Sequence, residues 1–171
     1  MRLLTAFRTI VFATALVVLS IAASAQNFNH QGVTLTAPVT LTPGEPIAGT
    51  TTSGLSYTET LYTGTLPNTD IFMVGIGEFR NNIETTSLST FADAFVAGTG
   101  GKADKSFALT VSGLPALATS IDVPDGARTI RMGWIGVVKG NRAYQFVFGS
   151  YTDVKSDNDG IETFFRSITI N

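Results

Sequence analysis

The chain has no cysteine. Disulfides are therefore excluded, and with them thiolate nucleophiles, iron–sulfur clusters and cysteine zinc sites. It has a single histidine, His30, so one copy can build neither a multi-histidine metal site nor a triad backed by a second histidine. His30 lies close to the amino end of the expected mature chain, where a solvated side chain is the expectation rather than a catalytic base. Charge is scarce and nearly balanced, with 11 basic and 13 acidic residues. These are dispersed along the chain, which leaves no electrostatic footprint for nucleic acid or an anionic membrane. No G-x-S-x-G elbow occurs, so hydrolysis by a serine of that type has no support.

What the chain does have is a three-part amino terminus. Met1 to Arg8 carries Arg2 and Arg8 and no acid, Ile10 to Ala23 is apolar and uncharged, and Ala23-Ser24-Ala25 supplies small residues for cleavage. This is the layout of a secretory signal peptide over residues 1–25, cut between Ala25 and Gln26. The apolar stretch is too short to span a bilayer comfortably, and no second one follows, so no membrane span is expected after cleavage. No cysteine stands at the cleavage position to be lipidated. The expectation is an exported protein, periplasmic or extracellular. Residues 26–171 would then form a single domain, whose formal charge moves from −2 to −4 when Arg2 and Arg8 leave. A domain of this size buries roughly 70% of its unfolded surface and needs no covalent staple. Abundant threonine and glycine with little Lys or Glu suits pleated strands and tight turns.

Periodicity gives the order of elements. Gln26 to His30 reads as a loose new terminus. Val33, Leu35 and Ala37 alternate with threonines up to Pro38, as in a short edge strand. Residues 43–54 are turn-rich and read as loop. Leu55 to Leu66 alternates apolar residues with threonine, a half-exposed strand, and Asp70–Phe79 is a continuous apolar run that suits a central strand covered on both faces. Leu88, Phe91, Ala92, Phe95 and Val96 form the stripe of an amphipathic helix, with Ser87 placed to cap its start and Gly98 its left-handed end. Period two resumes at Phe107, Leu109 and Val111, breaks at Gly113-Leu114-Pro115, and continues to a turn at Pro124-Asp125-Gly126. Ile130, Met132, Trp134, Gly136 and Val138 share a face of a long strand. Lys139-Gly140-Asn141-Arg142 has the centre of a two-residue hairpin, and Tyr144, Phe146 and Phe148 face one way on the returning strand. Asp157 to Ile168 closes the chain as a helix, with Asp159 near its positive end. The fold class expected from these elements is α+β, an antiparallel β-sheet of six to seven strands flanked by helices.

Residues 87–171 also follow a known order: an amphipathic helix, a strand ending in Gly113-Leu114-Pro115-Ala116, two further strands, the Gly140-Asn141-Arg142-Ala143-Tyr144-Gln145-Phe146 hairpin, and a helix ending in Phe164-Phe165-Arg166-Ser167-Ile168-Thr169-Ile170. This resembles the PsbP-like fold shared by thylakoid-lumen photosystem subunits, the Ran-binding Mog family and several exported bacterial proteins. The segment from Gly32 to Pro38 resembles the opening strand of those domains. The chain departs from the family in lacking a Trp soon after that proline, and residues 42–70 have no counterpart in it. The resemblance implies an α/β/α sandwich and a binding or assembly role without a shared active site.

The chemistry-bearing candidates are few. Asp153, Asp157 and Asp159, with Asn158 and Gly160, suggest a calcium loop, since hard cations need converging oxygens around a tight turn. The register fails: with Gly160 at the sixth position, Lys155 falls at the first and Arg166 at the twelfth. The expectation is no metal site, and a solvated turn whose acids cap the last helix. Gly98-Thr99-Gly100-Gly101-Lys102 lacks the leading glycine and trailing hydroxyl of a phosphate loop and follows a helix instead of opening one. Gly75-Ile76-Gly77 lacks a third glycine and sits inside a strand. Among Glu59, Glu78 and Glu84, Glu78 draws attention as the end of a very apolar strand, though two acids about 5–9.5 Å apart would be needed for glycoside hydrolysis.

Arg128, Arg131, Lys139 and Arg142 cluster on the last hairpin with Trp134 and Tyr144. Either this is a partner-binding face, since Arg and aromatics are enriched at interfaces, or the aromatics pack in the core and the basic residues decorate the outside. The functional expectation is a non-enzymatic binding or assembly protein of the bacterial cell envelope, without cofactor. Its partner would be an envelope protein or a small ligand, not nucleic acid; its oligomeric state is left open. The alternative is a small-molecule carrier or weak hydrolase using a cleft between the 87–97 helix and the sheet, which a large, apolar, partly open pocket would favour.

Overall fold

Alternation of side chains across a strand sends successive residues to opposite faces, and in this protein both faces of one large sheet are covered by different layers. The computed structural model describes residues 25–51 and 54–171. The signal-peptide reading, apart from Ala25, lies outside the described residues.

The chain opens with β1 (Gln26–His30) and β2 (Val33–Ala37), an antiparallel hairpin turned by Gln31 and Gly32, both at positive φ. Short β3 (Thr42–Pro43) and β4 (Ile47–Thr50) both pair with β5 (Ser56–Thr65), which pairs with β6 (Ile71–Phe79). A 3₁₀ turn at Thr85–Ser87 leads into helix α1 (Leu88–Thr99). Four long strands follow, β7 (Lys102–Val111), β8 (Leu114–Asp125), β9 (Arg128–Lys139) and β10 (Arg142–Tyr151), then helix α2 (Asn158–Arg166) and β11 (Thr169–Ile170). The eight-stranded sheet runs β3-β5-β6-β10-β9-β8-β7, with β4 also on β5; the second sheet is β1-β2-β11. All pairings are antiparallel.

On one face of the large sheet, Phe72, Val74, Ile76, Val137, Tyr144 and Phe146 pack against Val33, Leu35 and Ala37 of the small sheet and Phe164 of α2. Phe164 is fully buried and meets the ring of Phe72 edge-on, centroids 5.2 Å apart. On the opposite face, Ala92 and Phe95 of α1 cover Ile121, Val123, Ile130, Met132, Trp134 and Val147. At its start Leu88 joins Phe79, Ile83 and Val138.

The architecture corrects the expected one. The protein is a largely antiparallel β-sandwich of two sheets with two α-helices among the described residues, not a single six- to seven-stranded sheet in an α/β/α sandwich. The residues read as a loose terminus form β1, whose one inward side chain, Phe28, is buried. β2 is therefore the centre of a sheet and not an edge strand, with β1 on one side and β11 on the other. Within the stretch read as loop, Ile47–Thr50 is a strand. Helix α1 ends at Gly100, which takes the left-handed conformation (φ 67°), so Gly98 lies inside the helix, and Ser87 makes no side-chain cap. The hairpin glycine, Gly140, has the positive φ (61°) its turn requires.

Candidate functional site

Helix α1 is seated over the β8–β9 half of the large sheet, and between its inner side and the β5–β6–β10 half there is a cavity of about 510 Å³. The hollow has a cause in the sequence. In the register of the sheet, Glu59 of β5 lies beside Gly77 of β6, and Gly77 beside Ala143 of β10. A glycine and an alanine thus occupy neighbouring positions on the face that α1 packs on, beside the part it covers. The next row holds Gly75 beside Gln145, and Gln145 beside Gly136 of β9. There the glycines leave room for larger neighbours: the Gln145 side chain lies across Gly75, and the indole of Trp134 lies over Gly136. Leu88, Phe91 and Phe95 of α1 and Tyr57 and Phe79 of the sheet complete the walls.

A polar chain crosses this apolar surface. Trp134 Nε1 donates to Gln145 Oε1 (3.0 Å), and Gln145 Nε2 donates to Glu59 Oε1 (2.6 Å). Burial pushes the Glu59 carboxyl above its ordinary range, opposed in part by the Gln145 bond. The hydroxyl of Tyr57 is raised too, first by burial and then by the nearby Glu59. Among the described residues no lysine, arginine or histidine forms an ion pair with Glu59. A half-buried carboxyl without a paired cation, its proton affinity raised by its surroundings, is the kind of residue that marks a site.

The raised value carries a stability consequence with a definite sign. The folded protein holds the Glu59 proton more tightly than the unfolded chain does. The resulting stabilisation is complete below the ordinary carboxylate range and is lost as pH rises through the folded value. Asp122 and Asp153 act in the opposite sense, because Arg131 and Arg128 hold their carboxyls low. Comparing Glu59→Gln with the parent isolates the first effect: the thermal midpoint of the variant is expected to gain on that of the parent between about pH 4 and pH 8. An offset independent of pH in differential scanning calorimetry would refute it.

The other residues singled out from the sequence are held elsewhere. Arg128 pairs with Asp153 (2.7 Å) and lies over the ring of Tyr151, 3.5 Å from its centroid. Arg131 pairs with Asp122 (2.9 Å), and Arg142 with Glu78 (2.7 Å) and the carbonyl oxygen of Gln31. Lys139 is exposed at the end of β9. Trp134 and Tyr144 are both buried, on opposite faces of the sheet, so the structure does not bring these six residues together. Asp157 caps α2, accepting from the backbone N–H of Gly160 (3.1 Å), and Asp159 is exposed in its first turn. Asp153, Asp157 and Asp159 do not converge, and among the described residues no group of three or more His, Asp or Glu is placed to hold a metal ion. His30 is exposed and stacks on Tyr62. Glu84 is exposed.

Of the three acids, Glu59 and not Glu78, the one the sequence drew attention to, is at the site. The signal for it was in the period: Tyr57, Glu59 and Leu61 share a face, so Glu59 is an acid set into an apolar row. Gly75 and Gly77, unremarkable as a nucleotide motif, are the partners across that row. No family model matches the chain, and no curated protein matches it.

Proposed function

We propose that this is an exported binding protein that carries a small, largely apolar ligand in the cleft between α1 and the large sheet. The observation that supports the reading is the cavity itself, about 510 Å³, apolar and aromatic with few polar groups, of the size and character of small-molecule sites. Arg128, Arg131 and Arg142 are engaged within the chain, and Trp134 and Tyr144 are in the core, which favours the cleft over that hairpin as the place of binding. Export rests on the pattern of residues 1–25.

Trp134 is the single tryptophan of the chain and lines the cavity, so it serves as the energy donor for an apolar dye bound beside it. Titration with the neutral dye N-phenyl-1-naphthylamine is expected to give saturable 1:1 binding, with Kd on the order of 100 μM or tighter for a ligand of this size. Quenching of Trp134 should follow dye emission with the same midpoint. A linear, non-saturating response, or dye emission without quenching of Trp134, would refute the reading.

A further inference from the structure

The cleft carries charge of one sign. Its lining includes Glu59 and Asp93, the hydroxyls of Thr50, Thr51 and Thr90, and, among the described residues, no lysine, arginine or histidine. Arg80 belongs to an adjoining open groove, shared with Glu78, and not to the cavity. Arg142, the other base of that region, is occupied by Glu78 and the Gln31 carbonyl. The same lining carries aromatic rings: Tyr57 lies against Phe79 with centroids 5.3 Å apart, Phe79 approaches Phe91 at 5.8 Å, and Trp134 stacks on Phe95 at 6.1 Å. Gln145, tied to Trp134 on one side and Glu59 on the other, holds the carboxyl in place.

An anionic head group has no partner in such a cleft and would meet a like charge at low dielectric. A neutral ligand fills the volume and leaves Glu59 without a counter-charge. A cationic head on an apolar body satisfies both parts of the lining, since a carboxylate and the faces of aromatic rings each attract a desolvated cation. Resting on the proposal that the cleft carries a ligand, we infer that it selects hydrophobic organic cations, amphipathic ammonium compounds whose head group sits at Glu59 and whose apolar body lies along Leu88, Phe91 and Phe95. Asp93, exposed on α1 at the cleft, adds attraction for the approaching head group and no bar to its apolar tail.

Isothermal titration with octyltrimethylammonium, octanol and octanoate separates the head groups at constant tail. The ammonium is expected to bind about tenfold more tightly than octanol, with octanoate weakest, and Glu59→Gln to remove the preference for the cation, bringing the ratio of the ammonium and octanol affinities to about one. Asp93→Asn, at an exposed helix position, is expected to lower affinity for the cation by a factor of about two to three, as befits a screened surface charge. Octanol equal to or better than the cation, or a preference that survives Glu59→Gln, would overturn the selectivity while leaving carriage standing. Binding of none of the three, together with no dye uptake, would overturn both.

Discussion

Gly77→Leu is expected to weaken uptake of N-phenyl-1-naphthylamine at least a hundredfold and to leave the domain folded. A Cβ built on Gly77 meets Phe79 Cε2 at 3.6 Å and the Ala143 carbonyl oxygen at 3.7 Å, ordinary contact distances, and the backbone there is not in the left-handed region. The Cβ is thus accommodated at ordinary contact distances, and the rest of the side chain is expected to enter the cavity that Gly77 lines. Glycine weakens a strand interior, so the thermal midpoint should stay level or rise. A hundredfold loss corresponds to about 2.7 kcal/mol, the scale expected when the ligand's volume is already occupied. At Gly75 the same change would strike Gln145 Cγ, 2.5 Å from the new Cβ, so it would test packing and not uptake. Parent-like affinity in Gly77→Leu, with the circular dichroism of a folded protein, would place the bound ligand somewhere else.

Phe164→Ala is expected to give the largest loss of stability, about 3–5 kcal/mol for a buried aromatic cut to alanine, which lowers the thermal midpoint by roughly 10 °C. Phe164 is fully buried between Phe72 of the large sheet and Phe165 of its own helix. The last residues of the chain, 167–171, depend on that anchor. Ser167 Oγ accepts from the backbone N–H of Thr36 (2.8 Å), and the N–H of Asn171 donates to the carbonyl of Gly32 (2.8 Å). Loosening α2 therefore releases β11 from β2 and opens the small sheet. Because the cleft lies on the other face of the large sheet, dye binding measured well below the melting temperature should stay within about twofold of the parent, as independent sites behave. Urea unfolding with a loss below about 1 kcal/mol would contradict the anchoring role assigned to Phe164.

The long strands were legible because they alternate. Leu55 to Leu66, the 130–138 strand and the Gly140-Asn141 hairpin stand where period two and turn chemistry put them, whereas Asp70–Phe79 was legible as an unbroken apolar run. The small sheet was not legible for a physical reason. Gln26–His30 is polar except for Phe28, and β11 has only two residues, so neither shows a pattern; both exist because β2 offers them two open edges. The same is true of β4, which takes its place from β5. The separation of Trp134 from Tyr144 was implicit in the hairpin. A two-residue turn at Gly140-Asn141 pairs Tyr144 with Val137 and Trp134 with Val147, which sends the two aromatics to opposite faces.

The site required one step that pattern alone does not supply, the order of strands in the sheet. Glu59 interrupts the apolar row of β5 in plain view, yet only the pairing of β5 with β6 and of β6 with β10 sets it beside Gly77 and Ala143. The chain leaves β6 for α1 and the far edge before it returns as β10 beside it. That crossover brings residues 66 positions apart next to each other. It is the least local pairing within the large sheet and the one on which the cleft depends.

The most direct test of the cleft is the indole N–H resonance of Trp134 in a ¹H–¹⁵N spectrum, a single signal because there is a single tryptophan. That proton is held by Gln145 and, through it, coupled to Glu59. On titration with N-phenyl-1-naphthylamine it is expected to shift and saturate with the midpoint of dye fluorescence, together with the backbone signals of Glu59, Gly77 and Phe91. An indole signal that stays fixed while signals of the exposed edge strand β7 move would contradict binding in the cleft.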